Sequence, residues 1–189
     1  AAKACGDGRA NVLMKGQLHT DAFMRAAVSR DNGLRTGKRF VHIFHITTSD
    51  GTRSITISDA AVNVNPNLDT RKDATREVVD LLHTIGNPRP KVAFLSATES
   101  PIESVPSSMD GRALRDWAID NIQDADFSGP WAFDLIMSPK AVAAKKLTDD
   151  PVAGQADAII VPDIVSGNAL FKSFVYLTGG CAGGIVMGA

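Results

Sequence analysis

Short apolar runs alternate with amphipathic stretches along the chain, the pattern of βα units around a mostly parallel sheet. Apolar or alternating segments predict strands at 11–14, 40–47, 54–58, 91–96, 158–161 and 184–187. Between them, 71–85 reads as a helix, with Val78, Leu81, Leu82 and Ile85 on one face, Thr70 as N-cap and Gly86-Asn87-Pro88 as the stop. A second helix starts at Pro139, capped by Ser138, and a third spans 168–177. One pair departs from the parallel scheme. The alternating run 40–47, the turn Ser49-Asp50-Gly51 and the return at 54–58 predict an antiparallel hairpin, so the sheet is expected to be mixed. The polar, turn-rich stretch 30–39, with Asp31-Asn32-Gly33 and Thr36-Gly37-Lys38, is the expected crossing between two domains.

The ends of the chain add an expectation. The stretch from Cys181 to Ala189 reads as a glycine-rich turn and then a strand whose carboxyl edge carries small residues. Ligands of open α/β sheets bind beyond that edge, so residues after Ala189 are expected to line a crevice. The expected strand at 11–14 calls for sheet on its other side. Both features suggest an internal piece of a larger enzyme.

Composition narrows the class. Of 189 residues, 44% are hydrophobic and 22% charged, which excludes a disordered chain. The 20 basic and 21 acidic residues are scattered and sum to −1, giving no general attraction to nucleic acid or anionic membrane. Cys5 and Cys181 form no CxxC pair, as expected for thiols in a reducing cytoplasm. No apolar stretch has the length of a membrane span. The chain therefore reads as cytoplasmic.

Four segments could carry chemistry. Lys15-Gly16-Gln17-Leu18-His19-Thr20 leads into a helix bearing Arg25 and Arg30, whose amino terminus and cations suit a phosphate; a plain βα turn explains the same residues. Ser58-Asp59-Ala60-Ala61-Val62-Asn63-Val64-Asn65 crowds polar side chains after a strand. It suits hydrogen bonding to a ligand, with Asp59 as a possible base, or an Asx-rich loop bonding its own backbone. Asp134, after Trp131 and Phe133, is either a proton-transfer carboxylate against aromatic rings or a helix cap. Ser166, Gly167 and Asn168 could offer N–H groups and a hydroxyl to an oxyanion, and equally make ordinary N-cap chemistry. Other signals are weaker. His42 and His45 lie on opposite strand faces and His83 has no partner at ligand spacing, so no metal site is predicted. Ser96 lacks a GxSxG frame, and GxGxxG and the P-loop are absent.

In order and wording these segments resemble the phosphate acetyltransferase and phosphate butyryltransferase family. The resemblance runs through Met14-Lys15-Gly16 with His19-Thr20, Ser58-Asp59-Ala60-Ala61-Val62-Asn63, Pro90-Lys91-Val92-Ala93 with Leu95-Ser96-Ala97, and Pro106-Ser107-Ser108. It continues through Gly129-Pro130-Trp131-Ala132-Phe133-Asp134, Ala156-Asp157, Val161-Pro162-Asp163, Gly167-Asn168 and Ala182-Gly183. Lys15-Gly16 and the wording from Gly129 to Asp134 suggest the butyryl-type branch, which includes transferase modules fused to enoyl-CoA hydratase-like domains. Gly179-Gly180 departs from the alanine-rich wording usual there.

The resemblance implies an α/β, two-domain fold related to isocitrate and isopropylmalate dehydrogenases, with mixed, mostly parallel sheets, an interdomain active site and a homodimer. Residues 1–35 would be part of the first domain and 36–189 the second. It implies transfer of an acetyl or short-chain acyl group between coenzyme A, a substrate and not a bound cofactor, and inorganic phosphate. Asp59 and Asp134 would be the catalytic candidates, with Lys15, His19, Thr20, Arg25, Asn63, Ser166, Gly167 and Asn168 holding substrates. The main catalytic segment, a Ser-Arg pair and an Asp that the family uses, would follow Ala189. The competing expectations are a non-catalytic acyl-CoA-binding or regulatory module and a metal-dependent dehydrogenase on the related fold.

Overall fold

The computed structural model describes residues 1–188; Ala189 lies outside the described residues. Two compact units divide the described residues: Ala1–Phe40 with Met187 and Gly188, and Val41–Val186. The division falls after Phe40, so the turn-rich 36–39 groups with the first unit.

The first unit holds helices α1 (Ala2–Gly6) and α2 (Thr20–Val28) and a 3₁₀ turn, Arg30–Asn32. Asn32 Nδ2 donates to Ala26 O at 2.8 Å, and a Cβ on Gly6 would lie 1.8 Å from Asn32 O, so α1 and the turn meet backbone to backbone. The strand expected at 11–14 does not form. A β ladder needs a partner for its N–H and C=O groups, no strand of the described chain pairs with this segment, and Val12 and Met14 are exposed.

The second unit is built on a six-stranded sheet in the order β4-β3-β5-β2-β1-β6. The strands are β1 (Val41–Thr47), β2 (Ser54–Ser58), β3 (Lys91–Leu95), β4 (Asp126–Trp131), β5 (Ala158–Ile160) and β6 (Cys181–Met187). Neighbours among β4, β3, β5 and β2 are parallel, and β1 returns antiparallel to β2 with Ile43 opposite Ser58 and Thr47 opposite Ser54. The mixed, mostly parallel sheet and its hairpin are thus as the pattern predicts. Strand β6 starts at Cys181, before the expected 184, because pairing with β1 carries the ladder through glycines that alone read as a turn. Ile57, Ile159 and Val161 join Trp131, Leu135 and Ile136 in a buried core.

Helix α3 (Leu68–Thr84) begins earlier than expected because Asn67, not Thr70, is the cap: its Oδ1 accepts Thr70 N–H at 2.9 Å and Thr70 Oγ1–H at 2.8 Å. Helix α4 (Pro106–Asn121) buries Ser108, Gly111, Leu114 and Ala118, a face too poor in large apolar residues to stand out in the sequence. Strand β4 carries Gly129 and Pro130, which is tolerated because β4 is a sheet edge, where a missing N–H breaks no ladder. After it come α5 (Phe133–Met137) and α6 (Pro139–Ala144), the latter capped by Ser138 as expected. Helix α7 (Ile164–Tyr176) starts four residues before the predicted 168, with Asp163 at its N-cap.

Candidate active site

The carboxyl ends of β2, β3, β4 and β5 share one edge of the sheet, and the loops leaving them carry the second unit's candidates. After β2, Ser58-Asp59-Ala60-Ala61-Val62-Asn63 forms a loop organised by one carboxylate. Asp59 is 4% exposed, and its oxygens accept the N–H groups of Ala61 and Val62 (2.9 Å each), Asn63 (3.4 Å) and His42 (3.1 Å), and Asn63 Nδ2 (2.7 Å). That donor set compensates a buried negative charge and ties the loop to the start of β1. The Asx-rich loop that bonds its own backbone is the form the segment takes.

Helix α7 packs its first turn onto this loop. Ile164 N–H reaches Val64 O at 3.1 Å and Asn168 Nδ2 reaches Ala60 O at 3.4 Å. Gly167 is buried so closely that a Cβ there would lie 2.9 Å from Asp59 O and 3.0 Å from Ala60 Cα. The donors expected of 166–168 are largely spent: Ser166 N–H and Oγ both bond to Asp163 Oδ1, at 2.8 and 3.0 Å, and Gly167 N–H to Asp163 O at 3.2 Å. The cap at Asp163 draws these residues into the helix, where their backbone is no longer available to an oxyanion.

After β3, Ser96 Oγ and Ser107 Oγ lie 2.9 Å apart, placing a hydroxyl pair on the same edge. After β4, Asp134 stands exposed in the first turn of α5. Of the two readings the sequence offers, enclosure by aromatic rings does not hold, because Trp131 turns into the core and donates its Nε1–H to Ser128 Oγ at 2.9 Å; nor is Asp134 the cap of α5, whose N-cap position is Ala132. The Ser-Arg pair and Asp expected after Ala189 lie outside the described residues.

His42 has no role in the sequence reading and belongs to this edge. It is the second residue of β1, its N–H bonded to Asp59, and its ring centroid lies 4.3 Å from that of Phe44, which stacks on Phe171 of α7 at 3.7 Å. Burial pushes its imidazole pKa below the usual 6.5, an effect only partly offset by the nearby Asp59 charge. Its i, i+2 relation to Phe44 beside the Asp59 loop is the signal the sequence offers. His45, on the other face, instead bonds Thr56 Oγ1 at 2.9 Å, and no three His, Cys, Asp or Glu side chains among the described residues converge as metal ligands.

In the first unit, Lys15, His19, Thr20 and Arg25 are all exposed. Lys15 lies in irregular chain, His19 occupies the N-cap position of α2 without a side-chain cap bond, and Thr20 and Arg25 fall in its first and last turns.

A groove of about 680 Å³ lies at the opposite edge of the large sheet, lined by His45, Arg53, Asn87, Gln155 and Asp157. Its arginine is occupied by Met137 O and Ala156 O, at 2.7 and 3.2 Å. In sheets of this class the carboxyl edge is the ligand edge, and the capped loops described above lie there.

The α/β fold is one shared with solved phosphotransacylases. It superposes on a branched-chain phosphotransacylase from Enterococcus faecalis V583 with a TM-score of 0.91 at 28% identity, covering 100% of this chain and 67% of that one. A phosphotransacetylase from Streptococcus pyogenes gives 0.83 over 98% of this chain and 56% of that one; at 24% identity it speaks for the fold alone. The family model described as Phosphate acetyl/butaryl transferase matches residues 1–189, and the chain belongs to that family. The phosphate acetyltransferase of Rhizobium meliloti is 38% identical over 193 residues, spanning 100% of this chain and 61% of the relative. That of Rickettsia prowazekii is 40% identical over 94% of this chain and 51% of the relative, and the phosphate butyryltransferase of Clostridium acetobutylicum is 33% identical over 100% and 62%. The chain thus spans between half and two thirds of these relatives' length. Relatives named for both acyl groups match, which supports the family without favouring its butyryl-type branch.

Proposed function

We propose that the protein transfers an acetyl or short-chain acyl group between coenzyme A and inorganic phosphate, acyl-CoA + phosphate ⇌ acyl phosphate + CoA. The observation that carries this reading is the family match along all 189 residues.

In the forward direction a phosphate oxygen attacks the thioester carbonyl, the C–O bond forms, the tetrahedral oxyanion collapses and the C–S bond breaks. In reverse, the CoA thiol must ionise. With a thiol pKa of about 8.5, ionisation at neutral pH costs roughly 2 kcal/mol, which a carboxylate acceptor can offset. Asp134, exposed at the ligand edge, is the candidate for that proton. Asp59, saturated with donors, holds the loop that presents Asn63, and Asn168 braces the same loop from α7. Lys15 and Arg25 are the candidates for coenzyme A phosphates, Arg25 through its planar fork, and His19 and Thr20 at the start of α2 are further candidates.

The reading brings with it the dehydrogenase-related two-domain frame, a homodimer, a cytoplasmic setting and a catalytic Ser-Arg segment following Ala189. No helix of the described residues is long and apolar enough to cross a membrane. Acetyl-CoA and phosphate are incubated with the protein as its gene encodes it, and hydroxylamine traps any acyl phosphate. Hydroxamate formed only when both substrates are present supports the transferase. Coenzyme A binding without hydroxamate would favour a binding module, and substrate-dependent hydride transfer a dehydrogenase.

A further inference from the structure

The unassigned group at this edge is the His42 imidazole. Its Nδ1 is buried and has no hydrogen-bond partner among the described residues. Nε2 is not enclosed in that way, and the residue as a whole is half-buried. Burial keeps the ring neutral near pH 7, so it carries a single proton. A buried N–H without an acceptor is rarer and costlier than an unmatched lone pair, which places that proton on Nε2.

Strand β6 leaves this nitrogen open. Gly184 is exposed and lies over the ring: a Cβ there would come within 3.1 Å of His42 Nε2, 3.2 Å of its Cε1 and 2.9 Å of Phe44 Cε1. Any other residue at 184 would cover the N–H or displace it, whereas a Cβ on neighbouring Gly183 would meet nothing within 4 Å. The ring cannot easily turn away, because Phe44 is pinned against it by the stack on Phe171, and His42 N–H is tied to Asp59. A fixed, neutral donor therefore lies beside Gly184 of β6, on a residue whose backbone N–H bonds Asp59.

We infer that His42 is a substrate-binding residue whose Nε2–H, kept open by Gly184, donates a hydrogen bond to an oxygen of the reacting group, either phosphate or the acyl carbonyl. The inference rests on the acyl-transfer reading above. A neutral donor suits either oxygen, since it stabilises negative charge without surrendering a proton.

Long-range ¹H–¹⁵N spectra of the imidazoles in the protein as its gene encodes it test the donor directly. The Nε2–H tautomer is expected for His42, with its Nε2 shift moving when inorganic phosphate or, separately, acetyl-CoA is added; whichever probe moves it identifies the oxygen. An Nδ1–H tautomer, or no movement with either probe at saturation, overturns the inference. In kinetics, His42→Phe should lower kcat/KM about 10- to 100-fold for that same substrate. His42→Gln, whose amide nitrogen falls near the Nε2 position, should recover at least part of the loss. Activity of His42→Phe within about twofold of wild type also overturns the inference. If His42→Phe does not fold, the wild-type spectra decide. Wild-type protein without phosphate-dependent turnover would instead contradict the acyl-transfer reading, and the tautomer would still report on the donor.

Discussion

Replacing Asp59 with Asn separates a carboxylate that organises a loop from one that moves protons. The two side chains are nearly isosteric, so the difference lies in the oxygen that becomes an NH₂ group. One oxygen keeps the Ala61 and Val62 N–H groups, each at 2.9 Å, now as neutral bonds weaker by about 1 kcal/mol each. The new NH₂ faces three donors, His42 N–H, Asn63 N–H and Asn63 Nδ2. The two backbone N–H groups cannot turn away, and leaving His42 N–H, fixed on β1, without an acceptor costs about 1–3 kcal/mol. Relief from burying a charge acts the other way and is small, because the wild-type charge is already well solvated by N–H groups. The sum is a destabilisation of at least about 3 kcal/mol, a drop in Tm of roughly 6–12 °C for a chain of this size. Thermal unfolding and hydrogen exchange of the Ala61, Val62 and Asn63 amides measure it. A Tm within about 2 °C of wild type and unchanged amide protection, with activity lost, would refute the structural role and return Asp59 to the chemistry.

Other expectations follow from the same geometry. Gly167→Ala should destabilise by about 1–2 kcal/mol in urea unfolding, the clash with Asp59 and Ala60 outweighing the helix propensity gained, while Gly183→Ala should stay within about 0.5 kcal/mol. His42 and His45 both have folded-state pKa values below the ordinary 6.5, so protonation favours the unfolded chain. Stability should be fully present above pH 6.5 and fall as pH drops through and below it, and the slope in pH-dependent unfolding should be shallower in His42→Phe. Arg25→Ala should raise the apparent KM for coenzyme A by about tenfold with a smaller effect on kcat, and an unchanged KM would remove Arg25 from the phosphate site.

Large apolar side chains made much of the second unit legible. The β1–β2 hairpin, β3 and β5 show in the sequence because Ile43, Ile55, Ile57, Val92, Phe94 and Ile159 are buried in unbroken or alternating runs. Helix α4 was not legible because its inward face is Ser108, Gly111, Leu114 and Ala118, and β4 because Gly129 and Pro130 read as a turn until the edge position is known. The segment 11–14 misled for the opposite reason: its apolar residues suit a strand, but strands form by pairing, which no local pattern reports. At the candidate site, the Asp59 loop and the α7 terminus were visible as clusters of Asp, Asn, Ser and Gly. Which donor bonded which acceptor was not, because Asp163 could cap from several offsets. His42 stays inconspicuous because a strand histidine two residues from a Phe is a faint signal until Gly184 is seen to lie across it.

The most direct measurement is release of free coenzyme A thiol from acetyl-, propionyl- and butyryl-CoA, with and without phosphate, by the protein as its gene encodes it. Acyl transfer to phosphate requires release that depends on phosphate and matches the acyl phosphate formed mole for mole. Release independent of phosphate, or none with any of the three thioesters, would contradict it.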